Sequence, residues 1–210
     1  YTTSSDFPMA NAYNATYGGG NDCFITRFHS DGQFLIYSTY LGASNNDYGY
    51  SIAVELEYAY VTGYTSSSDF PTINAYNATH GGSGDCYVTK LSPDGKFLVY
   101  STFLGGSSNE VGQGIAVERG RAYVTGYTDS SNFPAVNAYD PTHNGFDDCF
   151  IGVLTDDADG DGLCDWGEQF IYGTDPYCFD SDHDSYDDFY EVQCGTDPLD
   201  PDHYPGMHFD

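Results

Sequence analysis

Two stretches of this chain hold carboxylates at metal-ligand spacing. In "DADGDGLCDWGE", Asp157, Asp159 and Asp161 alternate with small residues, Gly162 follows, and Asp165 and Glu168 complete a twelve-residue span. The pattern fits the cation loop D-x-[DN]-x-[DN]-G-x5-E. Alternate side chains turn inward, position seven lends a main-chain carbonyl (Leu163), and the glutamate at twelve closes the shell with two oxygens. In "DSDHDSYDDFYE" the same places fall to Asp180, Asp182, Asp184, Tyr186, Asp188 and Glu191. Ser185 stands at position six, where glycine is usual, so the second turn and its site are expected to be weaker. Seven oxygen donors suit calcium, with its large and tolerant shell, better than magnesium. Calcium at two sites is the expected cofactor. Without a cation the clustered carboxylates repel one another, so the segment should fold on binding. A merely solvated acidic tail would not place two full ligand sets 23 residues apart.

The elements that must position these loops differ sharply along the chain. Of 32 acidic residues in 210, 17 lie in 156–210, which has no Lys or Arg; all five bases lie before it. That shift divides the chain into 1–155 and 156–210. A net charge of −27 excludes nucleic-acid binding, which needs bases to displace phosphate counterions, and disfavours anionic membrane surfaces. No apolar run of about 18 residues is present, so no membrane insertion is expected. With 21 Tyr, 14 Phe and 25 Gly the chain is too aromatic for disorder and reads as mainly β. Tyr1 in place of an initiator Met reads as a mature, processed product.

Residues 1–155 repeat every 63 residues. "YTTSSDFPMANAYNATYGGGNDCFITRF" (1–28) returns at 64–91 and 127–154; "DGQFLIYSTYLG" (31–42) returns at 94–105; "YSIAVELEYAYVTGYT" (50–65) returns at 113–128. Such self-similarity marks a stacked repeat architecture. Each period holds four short β runs, of the type of Ile52–Leu56, Tyr60–Thr65, Cys86–Leu91 and Phe97–Leu104, with alternating or continuous apolar character. The "SSDFPxxNAYNAT" segment reads as a long ordered loop whose Phe-Pro and Tyr are pinned to the sheet. Four antiparallel strands in a unit too small to bury both faces describe a propeller blade or a stacked β repeat.

"GIAVERGRAYVTGYTDSSNFPAVNAY", "DDCFIGVL" and "FLVYSTFLGG" resemble the bacterial and archaeal β-propeller repeat family over about residues 1–155. That resemblance implies a blade running from the "IAV" strand inside to the "YSTYLGG" strand outside. In this phase the chain holds two strands of one blade, a full blade, and three strands of another: an incomplete, open propeller. The two acidic loops, each followed by "GTDP" (173–176 and 195–198), resemble thrombospondin type 3-like calcium repeats over about 156–202. The acidic segment begins where the repeat would otherwise supply an outer strand.

Closed propellers need about four blades, and open sheet edges are a liability. Other copies of the same chain, joined head to tail, are the expected partners. The expected role is a secreted, calcium-stabilised structural protein of a filament, sheath or surface layer. The alternatives are an adhesion module that binds a glycan or cell-surface protein through its tyrosines, or a non-catalytic part of a larger secreted enzyme. Enzyme activity itself is not expected. His80 and His143 occupy one repeat position held by Tyr17 in the first copy, whereas a catalytic group needs a single oriented setting.

Six cysteines, Cys23, Cys86, Cys149, Cys164, Cys178 and Cys194, permit three disulfides in fifteen pairings, which favours an oxidising, extracellular setting. Cys23, Cys86 and Cys149 share one repeat position and are structural; the pairing stays open. "NAT" at Asn14 and Asn77 makes two glycosylation sequons in equivalent loops.

Overall fold

Val, Ile, Thr and Tyr dominate the short runs of the 63-residue unit, and these side chains fit a pleated, half-buried surface. In the computed structural model, which describes residues 1–163 and 165–206, the runs form three antiparallel sheets. The first pairs β1 (Cys23–Phe28) with β2 (Leu35–Leu41). The second orders β3 (Asp47–Glu55), β4 (Tyr58–Thr65), β5 (Asp85–Leu91) and β6 (Leu98–Leu104). The third holds β7 (Glu110–Glu118), β8 (Arg121–Thr128) and β9 (Asp148–Leu154). The chain is thus mainly β, built of open blade-like repeats. It divides into two units, the first of Tyr1–Ala116 with Tyr123–Gly152 and the second of Val117–Ala122 with Val153–Asp210.

β3 begins five residues before the run Ile52–Leu56 that marks it in sequence. Its register against β4 slips between Gly49 and Ser51, so Tyr50 is an extra bulged residue. A bulge lets a strand continue past a local mismatch in alternation. The β5–β6 turn needs a left-handed residue and has one, Gly95 at φ 74°.

Packing in the first unit follows the two sides of each sheet. Cys23, Ile25, Tyr37 and Leu41 from the first sheet meet Ala59, Val61, Tyr87, Leu91, Leu98 and Phe103 from the second in one buried cluster. The opposite side of the second sheet, with Thr62, Cys86 and Val88, is also fully buried. There Gly112 of β7 lies against Thr62 and Cys86. The third sheet turns Ala122, Val124 and Phe150 inward. Its other side, with Tyr123 and Ile151, is exposed.

The long loop is pinned by its phenylalanine. Phe70 is buried in the cluster and packs on Tyr87 at 4.6 Å between ring centroids; Phe7 and Phe133 repeat this on Phe24 and Phe150 at 4.3 and 4.7 Å. The loop tyrosine behaves otherwise. Tyr13 packs against the core, but Tyr76 and Tyr139 stand in solvent. One anchor per loop suffices, because Ile73 also pairs with Ser101 of β6 through two backbone hydrogen bonds.

In the second unit, α1 (Asp165–Gly167) runs into a π-type turn over Glu168–Tyr172, and α2 (Asp188–Cys194) follows the second acidic loop. Asp187 caps α2 by accepting the Tyr190 N–H, and Gly195 ends it at φ 77°. Left-handed glycine is a common helix stop.

Candidate cation-binding site

The two acidic loops share three hydrogen bonds at equivalent positions. Asp157 Oδ1 accepts the Gly160 N–H (2.6 Å), Asp159 Oδ1 that of Asp161 (3.1 Å), and Asp161 Oδ1 that of Leu163 (2.7 Å). In the second loop Asp180 Oδ1 accepts from His183 (2.7 Å), Asp182 Oδ1 from Asp184 (3.1 Å), and Asp184 Oδ1 from Tyr186 (2.9 Å). Short polar side chains that bind nearby N–H groups hold a tight loop without regular structure. Gly160 and Gly162 take left-handed φ values of 83° and 111°; His183 and Ser185 take 66° and 86°. Ser185 therefore makes the same turn as glycine, under steric strain.

Of the second oxygens, Asp161 Oδ2 accepts the Phe189 N–H (3.2 Å) and Asp180 Oδ2 that of Ser185 (2.9 Å); others have no protein partner. Asp157 Oδ2, Asp159 Oδ2 and Glu168 Oε2 are buried and accept no hydrogen bond from the protein; so are Asp182 Oδ2, Asp184 Oδ2 and Glu191 Oε2. Buried acceptors without a partner are costly, and each calls for an explanation. A divalent cation supplies one. The donor set is all oxygen and mostly anionic, which fits a hard cation. Ligand atoms of Asp157, Asp159 and Asp161 lie within 4.8 Å of one another, as do those of Asp180, Asp182 and Asp184.

The glutamates at position twelve are both fully buried. Burial, and then the nearby charges of Asp161 and Asp159, push Glu168 up to about 8. Burial, and then Asp184 and Asp182, push Glu191 up to about 7. Asp161 rises to about 7 by burial, opposed by the Leu163 N–H and reinforced by Asp159 and Asp157. These are the shifts expected when like charges crowd a dry site.

Position nine braces each loop. Asp165 Oδ1 accepts the N–H of Ala158 (2.8 Å) and Asp188 Oδ1 that of Ser181 (2.8 Å), stapling each loop shut at position two. Asp188 also joins Asp161 and Glu168 in a third group of carboxylates within 4.8 Å, all three fully buried. This group draws on both loops, a juxtaposition that spacing along one loop does not reveal. Leu163 is buried and Tyr186 half-buried.

Other contributors lay outside the loop template. Thr174 Oγ1 donates to Glu168 Oε1 (3.5 Å) and Thr196 Oγ1 to Glu191 Oε1 (3.3 Å), so each "GTDP" steers its glutamate. Arg119 donates to the Asp161 carbonyl, pairs with Asp187 at 3.3 Å and lies over the Phe189 ring. Arg119 and Arg121 replace Leu56 and Tyr58 of the preceding repeat; that departure from the repeat was the available signal.

The remaining sequence candidates are the cysteines and the two sequons. Cys164 lies outside the described residues. Among the described residues no disulfide forms: Cys23, Cys86, Cys149, Cys178 and Cys194 are free thiols. Cys23 and Cys86 each face a glycine of the next sheet instead of another cysteine, at Gly49 and Gly112. Burial pushes their thiols up to about 11 and about 12, which keeps them inert. Asn14 and Asn77 are partly exposed, and each accepts the N–H two residues on (2.9 Å). Asp140 does the same at the third copy, so the turn recurs where the sequon is absent.

Two family models match parts of the chain. A family model described as Beta-propeller repeat matches residues 36–71 and 99–134. Each match starts in an outer strand and ends after the second strand of the following sheet. A second model, Bacterial TSP3 repeat, matches 157–177 and 186–201. No curated protein matches the chain. Its repeats are of two known kinds: β-propeller repeats of the first family in the sheets, and bacterial TSP3 repeats in the acidic loops.

Proposed function

We propose that this protein is an extracellular structural module whose C-terminal unit is folded by calcium at two sites, and whose copies assemble head to tail into a filament, sheath or surface layer. The observation that carries the calcium reading is the set of six buried, unpartnered carboxylate oxygens, three in each loop. Asp157, Asp159, Asp161 and Glu168 would hold one ion, and Asp180, Asp182, Asp184 and Glu191 the other. Bound calcium would neutralise the crowded carboxylates, while the staples at Asp165 and Asp188 keep the loops closed. TSP3 repeats typically bind calcium and are typically extracellular, where millimolar calcium suits loops of modest affinity. No helix among the described residues is long and apolar enough to cross a membrane. Assembly is supported by the exposed side of the third sheet, with Tyr123 and Ile151. Electron microscopy of the purified chain in calcium and in chelator tests the reading. Ordered polymers in calcium support it; discrete particles under both conditions refute assembly.

A second reading, adhesion to a glycan or cell-surface protein, draws on Tyr48 and Tyr50, which stack at 6.0 Å with Tyr50 exposed. Flat aromatic faces suit sugar rings. Binding on a glycan array that Tyr50→Ala abolishes would favour it.

A further inference from the structure

The outer strands β2 and β6 are each held from two sides by the same set of groups. On one side β2 pairs with β1 and β6 with β5. On the other side each is gripped by the long loop of its repeat. Ala10 and Ser38 exchange two backbone hydrogen bonds, and so do Ile73 and Ser101. The carbonyls of Asn14 and Asn77 accept the N–H groups of Tyr40 and Phe103, both at 3.0 Å. The hydroxyls of Thr39 and Thr102 accept the N–H groups of Asn14 and Asn77, both at 2.9 Å. Asn11 Nδ2 donates to the Ile36 carbonyl (2.8 Å) and Asn74 Nδ2 to that of Val99 (2.9 Å). The strand's aromatic ring lies near two loop side chains, Tyr40 near Phe7 and Tyr17, Phe103 near Phe70 and His80.

The third repeat has the grip without the strand. β9 is the edge of its sheet, and its loop has the shape of the other two. Phe133 stacks on Phe150. Asp148 Oδ2 accepts the Asn144 N–H as Asp22 and Asp85 accept those of Gly18 and Gly81. Asn137 holds φ 51° where Asn11 and Asn74 hold 44° and 46°. Yet among the described residues no hydrogen bond joins the Val136 or Asp140 backbone, or the Asn137 amide, to a strand. Val136 is 75% exposed, against 46% for Ile73. One contact is missing by sequence: Gly152 stands where Thr26 and Thr89 bond the serine hydroxyl of the outer strand.

We propose that the slot between β9 and this loop takes an extended segment of another polypeptide as the fourth strand of the third sheet. β2 and β6 define its chemistry: Tyr-Ser-Thr-aromatic-Leu. The serine would lie opposite Val136, the threonine opposite Asp140, and the aromatic ring beside Phe133 and His143. A strand added to an open edge gains main-chain hydrogen bonds, and side-chain pockets choose the partner. The loop is shaped in advance, which lowers the cost of binding. A folded copy of this chain is not the donor, because its β2 and β6 are already paired. The inference does not depend on assembly of copies.

A fluorescein-labelled peptide of residues 97–105, FLVYSTFLG, tests this by anisotropy against the full chain in calcium. It should bind saturably and slow hydrogen exchange at 136–140 and 149–152. The same peptide N-methylated at its Ser and second Thr-flanking Phe, the equivalents of Ser101 and Phe103, cannot donate to the loop and should bind at least tenfold more weakly. Asn137→Gly keeps the left-handed turn and removes only the amide. Its circular dichroism should match the wild type, and its affinity should fall about threefold to tenfold, the worth of one hydrogen bond. No saturable binding overturns the proposal, as does equal binding of the methylated peptide or wild-type affinity in Asn137→Gly. Slowed exchange confined to residues outside 136–152 overturns it too. Protection at 149–152 that grows with the concentration of the chain alone would make the occupant a second copy, and would also overturn it.

Discussion

The thiol of Cys23 rests against the backbone of Gly49, where a Cβ would stand 2.6 Å from the sulfur and 3.5 Å from the Tyr87 hydroxyl. Cys86 and Gly112 repeat the contact, at 2.8 Å. A small buried thiol in one sheet and a missing side chain in the next set how closely the sheets approach. Gly49→Ala should therefore destabilise the first unit by about 1–3 kcal/mol, the usual cost of overpacking. Thermal melting checks this, and Gly49→Ala/Cys23→Ala should recover part of the loss by vacating the space. Equal melting temperatures for Gly49→Ala and the wild type would show that the sheets adjust freely.

Glu168 and Glu191 close the two loops, and each leaves one buried oxygen without a protein partner. Glu191→Gln should weaken calcium uptake at the second loop by an order of magnitude or so, since affinity in such loops follows ligand charge. Glu168→Gln should affect both loops, because Glu168 also meets Asp188. Calorimetric titration distinguishes the two patterns.

The raised carboxylates fix the sign of the pH response. Glu168 near 8, and Asp161 and Glu191 near 7, hold protons in the folded, metal-free loops that an unfolded chain releases at about pH 4. The folded state binds more protons, so its stability is greatest below about pH 4, falls as pH rises from there, and levels off once the folded loops have released their protons at about pH 7 to 8. In chelator, the circular dichroism of the second unit should weaken between pH 5 and pH 8.5. Calcium should abolish that loss, and its uptake at pH 7 should release protons, read as a buffer-dependent heat.

Ser185 holds φ 86° where the first loop has a glycine. A left-handed L-residue costs about 1–2 kcal/mol, so Ser185→Gly should tighten calcium binding at the second loop severalfold. Gly162→Ala should do the opposite in the first loop, because its Cβ would stand 2.9 Å from the Arg119 Cβ. Parallel titrations of the two variants would check both.

The sheets were legible because period and alternation are local signals. Cys86–Leu91 and Tyr60–Thr65 needed only their own residues to be recognised as strands. The start of β3 was not, since the bulge at Tyr50 depends on its partner strand. The acid loops were legible from spacing, but the divided labour within them was not. Nothing in the spacing says that Asp165 and Asp188 accept loop N–H groups, or that Asp188 reaches Asp161 and Glu168. Cysteine number misled, because at three of the six positions the repeat, and not pairing, places the residue. Arg119 and Arg121 were visible as a break in the repeat, yet their role depends on loops about 40 residues further along.

The buried meeting of Asp161, Glu168 and Asp188 makes the two acidic repeats one electrical unit. Charge neutralised in either loop lowers the repulsion felt by the other, through low-dielectric surroundings that screen it poorly. The second unit should then order over a narrow span of calcium activity, with a Hill coefficient above one that Asp188→Asn brings back toward one. A chain built this way would stay slack at low calcium and stiffen abruptly above a threshold concentration.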